Sequence, residues 1–200
     1  MRQTGADASL CNPSHAGDVE GYVEWIGLVT AATFRSPGGA LERDLTSGRL
    51  QEALTELARD RGLAPPKLPD VPLSELQSAY TSLFVVNPGG LPAPPYAGYA
   101  LDDQLMGKAQ EALQAFYAAH GLAVDESWQE LPDHLAAVGE AIALLSGQDP
   151  QAARTLALGY LRPWLERYAE LVASEDPTGF YGTICETLKQ VLEAEYEANP

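Results

Sequence analysis

The side chains best placed to do chemistry lie in one short run, Glu130-Leu131-Pro132-Asp133-His134-Leu135. Pro132 has a fixed φ that suits the first position of a helix, and it pushes the preceding residue out of the α region. The expected helix therefore starts at Pro132, with Leu131 at the cap and Asp133 and His134 in the first turn. Leu131 has no side-chain oxygen with which to cap the free N–H groups there. A carboxylate near those donors is favoured by the helix dipole, and a protonated imidazole is not. The run thus offers an acidic oxygen, a switchable imidazole and spare backbone donors. Two readings follow: a binding site for a cationic group, or a helix end that Asp133 satisfies while His134 is packed or solvated.

The elements that must position this run are helical. Asp18 is an expected cap for a helix reaching about Arg35, with Tyr22, Val29 and Thr33 at helical spacing. Ser36-Pro37-Gly38-Gly39 stops it. A short helix is expected over residues 40–45 and another from about Ser47 to Arg61, with Gly62 as its stop. Pro65, Pro66, Pro69 and Pro72 make an extended connector. Ser74-Glu75-Leu76-Gln77 has the form of a capping box and precedes a stripe of Leu76, Tyr80, Leu83 and Phe84. Residues 87–102 read as an irregular, proline-rich loop carrying Tyr96 and Tyr99, aromatic side chains with a hydrogen-bonding tip. Asp102 is the expected cap of a helix to His120, with Leu105 on its inner face.

After the central helix, which Gly147 ends, Asp149-Pro150 opens a long helix towards Ser174 that Pro163 should kink near Arg162. Asp176-Pro177 opens the last one. No stretch alternates as a strand does. The expectation is an all-α fold, a single helical bundle of about seven to nine helices over residues 18–200, preceded by a loosely ordered residue 1–17 segment.

Composition narrows the function. Among 200 residues, 12 Lys and Arg stand against 28 Asp and Glu, a net charge of −16. That field repels nucleic acid and anionic lipid and attracts basic partners. The two cysteines, Cys11 and Cys185, form no CxxC or zinc-spaced pattern. The most apolar stretch, residues 26–34, is too short to span a bilayer. These features point to a soluble, cytoplasmic protein with no nucleic-acid partner and no stable membrane insertion. Gly89-Gly90 lacks the Lys and Ser/Thr of a phosphate loop, no nucleophile elbow or His-Glu metal motif occurs, and His15 and His120 are isolated. No catalytic, metal or cofactor set is expected, and the enzyme reading has little support.

The order of several signatures resembles a known family. Tyr80-x-x-Leu83-Phe84 is followed by Pro95-Tyr96-x-x-Tyr99, Phe116-Tyr117 with Gly121-Leu122, and then Glu130-x-Pro132-Asp133-His134-Leu135. Tyr160-Leu161-x-Pro163-Trp164-Leu165 and Phe180-Tyr181 complete the series. The chain resembles the TorD/DmsD/NarJ family of redox-enzyme maturation chaperones over about residues 20–195. The resemblance implies an all-helical cytoplasmic chaperone. Its partner would be the precursor of a molybdenum-containing oxidoreductase, often met at its twin-arginine signal peptide, which the chaperone holds back from export until the cofactor is inserted. By resemblance, Asp133 and His134 match the family's binding pair, and Tyr96 and Tyr99 match its loop. Where the family usually carries Ser between the two tyrosines, this chain has Ala97-Gly98.

On this reading Asp133, with Glu130, faces the guanidinium groups through charge-assisted bonds. Tyr80, Leu83, Phe84, Tyr96 and Tyr99 cover the apolar part of the peptide. His134 tunes the site with pH. The alternative is a helical assembly or scaffold subunit bound stably to a redox enzyme complex.

Overall fold

The computed structural model describes residues 19–198 apart from Glu126, and of Val19 and Glu20 only the backbone. Nine helices and no strand make up these residues, the all-α bundle expected. They are α1 (Val19–Phe34), α2 (Gly39–Thr46), α3 (Arg49–Asp60) and α4 (Leu73–Tyr80, running on through a π turn over Thr81–Val85). Then come α5 (Ala97–Asp102), α6 (Lys108–Ala119) and α7 (Leu135–Ser146). Helix α8 runs from Pro150–Leu156 through a π turn over Ala157–Leu161 to Arg162–Glu175, and α9 is Phe180–Ala198. The expected residue 1–17 segment, with Cys11 and His15, and the expected cap Asp18 lie outside the described residues.

The contact on which the bundle is built runs between α1 and α7, and two glycines permit it. A Cβ on Gly27 would lie 2.7 Å from the Gly139 carbonyl oxygen, and one on Gly139 would lie 2.5 Å from the Ala31 nitrogen. The two backbones touch without side chains between them, and the pairing of residue 27 with 142–143 and of 139 with 31 makes them antiparallel. The C-terminal end of α1 is thereby fixed beside the N-terminal end of α7. Helices α8 and α9 pack beside this pair.

A cluster of aromatic rings fills the core beneath that end. Phe84 lies 5.8 Å from Phe34, 5.2 Å from Tyr80 and 5.1 Å from Tyr181, all edge-on. The two tyrosine hydroxyls stay satisfied: Tyr80 donates to the Phe34 carbonyl at 3.1 Å and Tyr181 to the Leu76 carbonyl at 3.2 Å. Tyr168 Oη donates to the Ala93 carbonyl at 2.6 Å, tying the proline-rich loop to α8.

Several boundaries differ from the sequence reading. Ser74 is not a cap: α4 starts one residue earlier, behind Pro72, whose fixed φ leads into the helix, and no side chain caps it. Residues 87–102 are not wholly irregular, because 97–102 form α5. Asp102 ends α5 instead of starting α6, yet still serves α6, accepting the Ala109 N–H at 2.6 Å across the intervening turn. Leu105, expected inward, sits in that turn and is exposed. Asp149 caps α8 as expected, accepting from the Ala152 N–H at 3.0 Å. Pro163 perturbs α8 where expected: it has no N–H to donate one turn back, and the π turn over Ala157–Leu161 absorbs the change. The last helix begins at Phe180, three residues beyond Pro177, with Asp176 accepting the Gly182 N–H at 3.0 Å.

Candidate functional site

The helix after the central run begins at Leu135, not at Pro132, and its cap is His134. Residues 131–134 form a turn, closed by the His134 N–H donating to the Leu131 carbonyl at 3.1 Å, and His134 itself is extended because the proline-rich loop competes for the backbone here. The Ala97 N–H donates to the Asp133 carbonyl at 3.0 Å and the Leu135 N–H to the Pro95 carbonyl at 2.9 Å, an antiparallel bridge between Tyr96 and His134. Loop and motif, 38 positions apart as Tyr96 and His134 stand in the chain, therefore form one unit.

Asp133 points inward and is fully buried. Its Oδ2 accepts the Gly98 N–H at 2.9 Å, in the first turn of α5. The carboxylate thus caps the helix that carries Tyr99 instead of its own. Gly98 is needed for this approach: a Cβ there would lie 2.8 Å from the Gln104 carbonyl oxygen and 3.4 Å from Asp133 Oδ2. The main chain itself supplies the donor. Asp133 Oδ1 makes no hydrogen bond of normal geometry, and the hydroxyl of buried Tyr117 makes none either. Burial holds the Asp133 carboxyl above its ordinary pKa, opposed by the Gly98 N–H and by the amide of buried Gln110. Burial first, and then the Asp133 charge, push the Tyr117 phenol well above its usual range.

His134 is 2% exposed and stands between two rings, Tyr96 at 5.3 Å and Trp128 at 5.8 Å, both edge-on. Its Nδ1 accepts the Ala136 N–H at 3.1 Å, which places the ring proton on Nε2. Burial pushes its pKa down to about 4, with Glu130 opposing and Arg35 adding to the shift. The expectation that His134 titrates near neutrality is therefore corrected: a buried imidazole whose Nδ1 must accept a hydrogen bond stays neutral there.

The exposed part of the site lies above these two residues. Tyr96 Oη donates to Glu130 Oε2 at 2.6 Å. Burial and then that bond push the Tyr96 phenol well above its usual range. Trp128 covers His134 from the other side, and the Arg35 guanidinium lies over its ring at 5.3 Å while pairing with Glu140 on α7. Glu130 itself is exposed.

Six of the eight expected binding residues converge. Tyr96, Glu130, Asp133 and His134 are joined by the contacts above. Tyr80 underlies them, its phenol pushed up to about 12 by burial and then by the Glu130 charge, and Tyr99 is tied in through α5. Tyr99 is exposed. Tyr80, Leu83 and Phe84 are core residues, at most 7% exposed, so they support the site from below and present no surface. The reading missed Arg35 and Glu140, whose pairing spans 105 positions and leaves no local signal. Trp128, two residues before Glu130, was within reach of that reading, since a large aromatic beside an acidic–imidazole run is a usable cue.

Among the described residues no group of three or more His, Cys, Asp or Glu side chains could hold a metal ion, and no helix is long and apolar enough to cross a membrane.

Bundle and site together define a class of all-helical proteins that present an acidic and aromatic surface on a laced loop. The chain belongs to the nitrate reductase delta subunit family, whose model matches residues 43–173, and so to the TorD/DmsD/NarJ group of redox-enzyme maturation chaperones that its motifs resemble. It is 29% identical over 140 residues to the chaperone protein TorD of Shewanella loihica, a match that covers 66% of this chain and 61% of that relative's length. It is 29% identical over 149 residues to the chaperone protein TorD of Actinobacillus pleuropneumoniae serotype 3, covering 72% of each chain. The fold matches the crystal structure of an Archaeoglobus fulgidus protein described as a redox enzyme maturation protein. The TM-score is 0.61, over 91% of this chain and 98% of that one, at 23% identity.

Proposed function

We propose that this protein is a system-specific cytoplasmic chaperone. It binds the precursor of a molybdenum-containing oxidoreductase, at its twin-arginine signal peptide or N-terminus, and supports cofactor insertion and assembly before export. One observation carries the reading: an acidic and aromatic rim, exposed Glu130 with half-buried Tyr96, Trp128 and Glu140, stands on the bridged loop and motif in a chain of net charge −16. A twin-arginine segment supplies paired guanidinium groups and an apolar run, which suit carboxylates and aromatic faces. Exposed Tyr99 meets the apolar run. Asp133 and His134 act as positioning residues: Asp133 holds Gly98 and so α5, and His134 holds the start of α7.

Calorimetric titration with a twin-arginine peptide tests this, run beside a lysine–lysine peptide and the Asp133→Ala protein at two salt concentrations. Binding that needs both arginines, weakens in high salt and falls several-fold in Asp133→Ala is expected. No binding by the intact protein overturns the signal-peptide reading. The second reading, a scaffold subunit held permanently in a redox complex, draws on the exposed Val85, Val86, Leu105 and Met106 side chains. A stable, monodisperse free monomer in sedimentation would count against it.

A further inference from the structure

Arg35 lies just past the C-terminal end of α1, where the packing of α1 on α7 brings it over the start of α7. Its guanidinium meets two groups at once, the Glu140 carboxylate and the face of Trp128. This is the pair of groups that a guanidinium of another molecule would seek, an anion for its charge and an indole for its flat face. The hold on Arg35 is partly open to water: its side chain is 43% exposed and that of Glu140 is 23% exposed, so solvent screens part of their attraction. The arrangement is continuous with the rest of the site: Trp128 borders His134, His134 borders Tyr96, and Tyr96 bonds Glu130.

We propose that Glu140 and Trp128 form a subsite for an arginyl side chain of the bound partner, and that Arg35 is its internal occupant, displaced when the partner binds. The proposal rests on the reading that the partner is a segment with paired arginines. A resident guanidinium lowers the apparent affinity by the fraction of time it fills the subsite. It also raises the demand on the ligand, because only a planar guanidinium recovers both contacts that Arg35 gives up. Lysine offers a point charge and no flat face.

The test is titration of the wild type, Arg35→Ala, Arg35→Lys and Glu140→Gln proteins with the twin-arginine peptide and with its lysine–lysine version. Arg59→Ala, an exposed arginine paired with Glu56 on α3, controls for the change in net charge. Arg35→Ala should bind the arginine peptide about three- to tenfold more tightly, with less than about a twofold gain for the lysine peptide or in Arg59→Ala. Arg35→Lys should fall between wild type and Arg35→Ala, and Glu140→Gln should bind more weakly. Melting temperatures establish that each variant is folded, and Arg35→Lys carries the test should Arg35→Ala not fold. Binding by the wild type with no gain in the Arg35 variants, or an equal gain for both peptides, overturns this inference alone. Absence of binding in every form overturns it together with the signal-peptide reading.

Discussion

Two of the carboxylates buried among the described residues, Glu195 and Asp133, have opposite surroundings. Glu195, 1% exposed on α9, accepts from Arg61 at 2.5 Å and from Arg154 at 3.3 Å, and Arg61 in turn lies over the Tyr22 ring at 3.7 Å. Four helices or their ends meet there: α1, α3, α8 and α9. Among the described residues no cation pairs with Asp133. It is held by the Gly98 N–H and the nearby Gln110 amide, its Oδ1 makes no hydrogen bond of normal geometry, and its pKa is raised. The first is a clamp whose charge is matched on the spot. The second leaves the cost of burial standing in order to hold a loop against a helix. Such an imbalance is expected where position matters more than stability.

Three experiments sharpen or break this contrast. The largest effect is expected at the clamp. Glu195→Ala leaves two largely buried guanidinium groups facing each other and should cost about 3–5 kcal/mol in denaturant unfolding. A loss below about 1 kcal/mol would mean that water already solvates the arginines and that the clamp is not one. Asp133→Ala should cost less, about 1–3 kcal/mol, because it strands the Gly98 N–H but also removes an unmatched charge. Asp133→Asn, which keeps an acceptor and loses the charge, should lie within about 1 kcal/mol of wild type in the same experiment. If Asn proves as damaging as Ala, the charge itself is needed and the contrast fails.

The effect that needs the finest comparison is a pH slope. The folded pKa of His134, about 4, lies below its ordinary 6.5, so between these values the unfolded chain binds more protons than the folded one. Stability from this residue is present above pH 6.5 and is lost as pH falls towards 4, by at most about 1.4 kcal/mol per pH unit. Asp133, raised, works in the opposite sense above pH 3.8, so the slope is best read as the difference between wild type and His134→Asn, which keeps a capping oxygen. Equal slopes in the two proteins would remove His134 from the account.

Much of the bundle was legible in the chain itself. Proline and glycine punctuate it, so the ends near Gly62, Gly121 and Gly147 and the break before Pro163 follow from backbone rules that hold anywhere. The apolar periods of Leu76, Tyr80, Leu83 and Phe84 mark a buried face, and all four are buried. The site was legible only as a set of names. Tyr96, Glu130, Asp133 and His134 carry chemistry in any arrangement, but their types do not say which face inward.

What the sequence by itself determined is therefore helix content, helix breaks and the acidity of the surface, because propensity, periodicity and charge are local or additive. What only the tertiary structure decided is the sense of the central run. Local rules start its helix at Pro132 and put Asp133 on a free helix end. Instead the Pro95–Ala97 backbone takes the hydrogen bonds of Asp133 and Leu135, the helix starts at Leu135, and the carboxylate turns inward to Gly98. The bonds that settle this join residues nearly 40 positions apart, and the fold that brings them together is set by the glycine contact of α1 on α7 and the packing around it. No local pattern in the run carries that information.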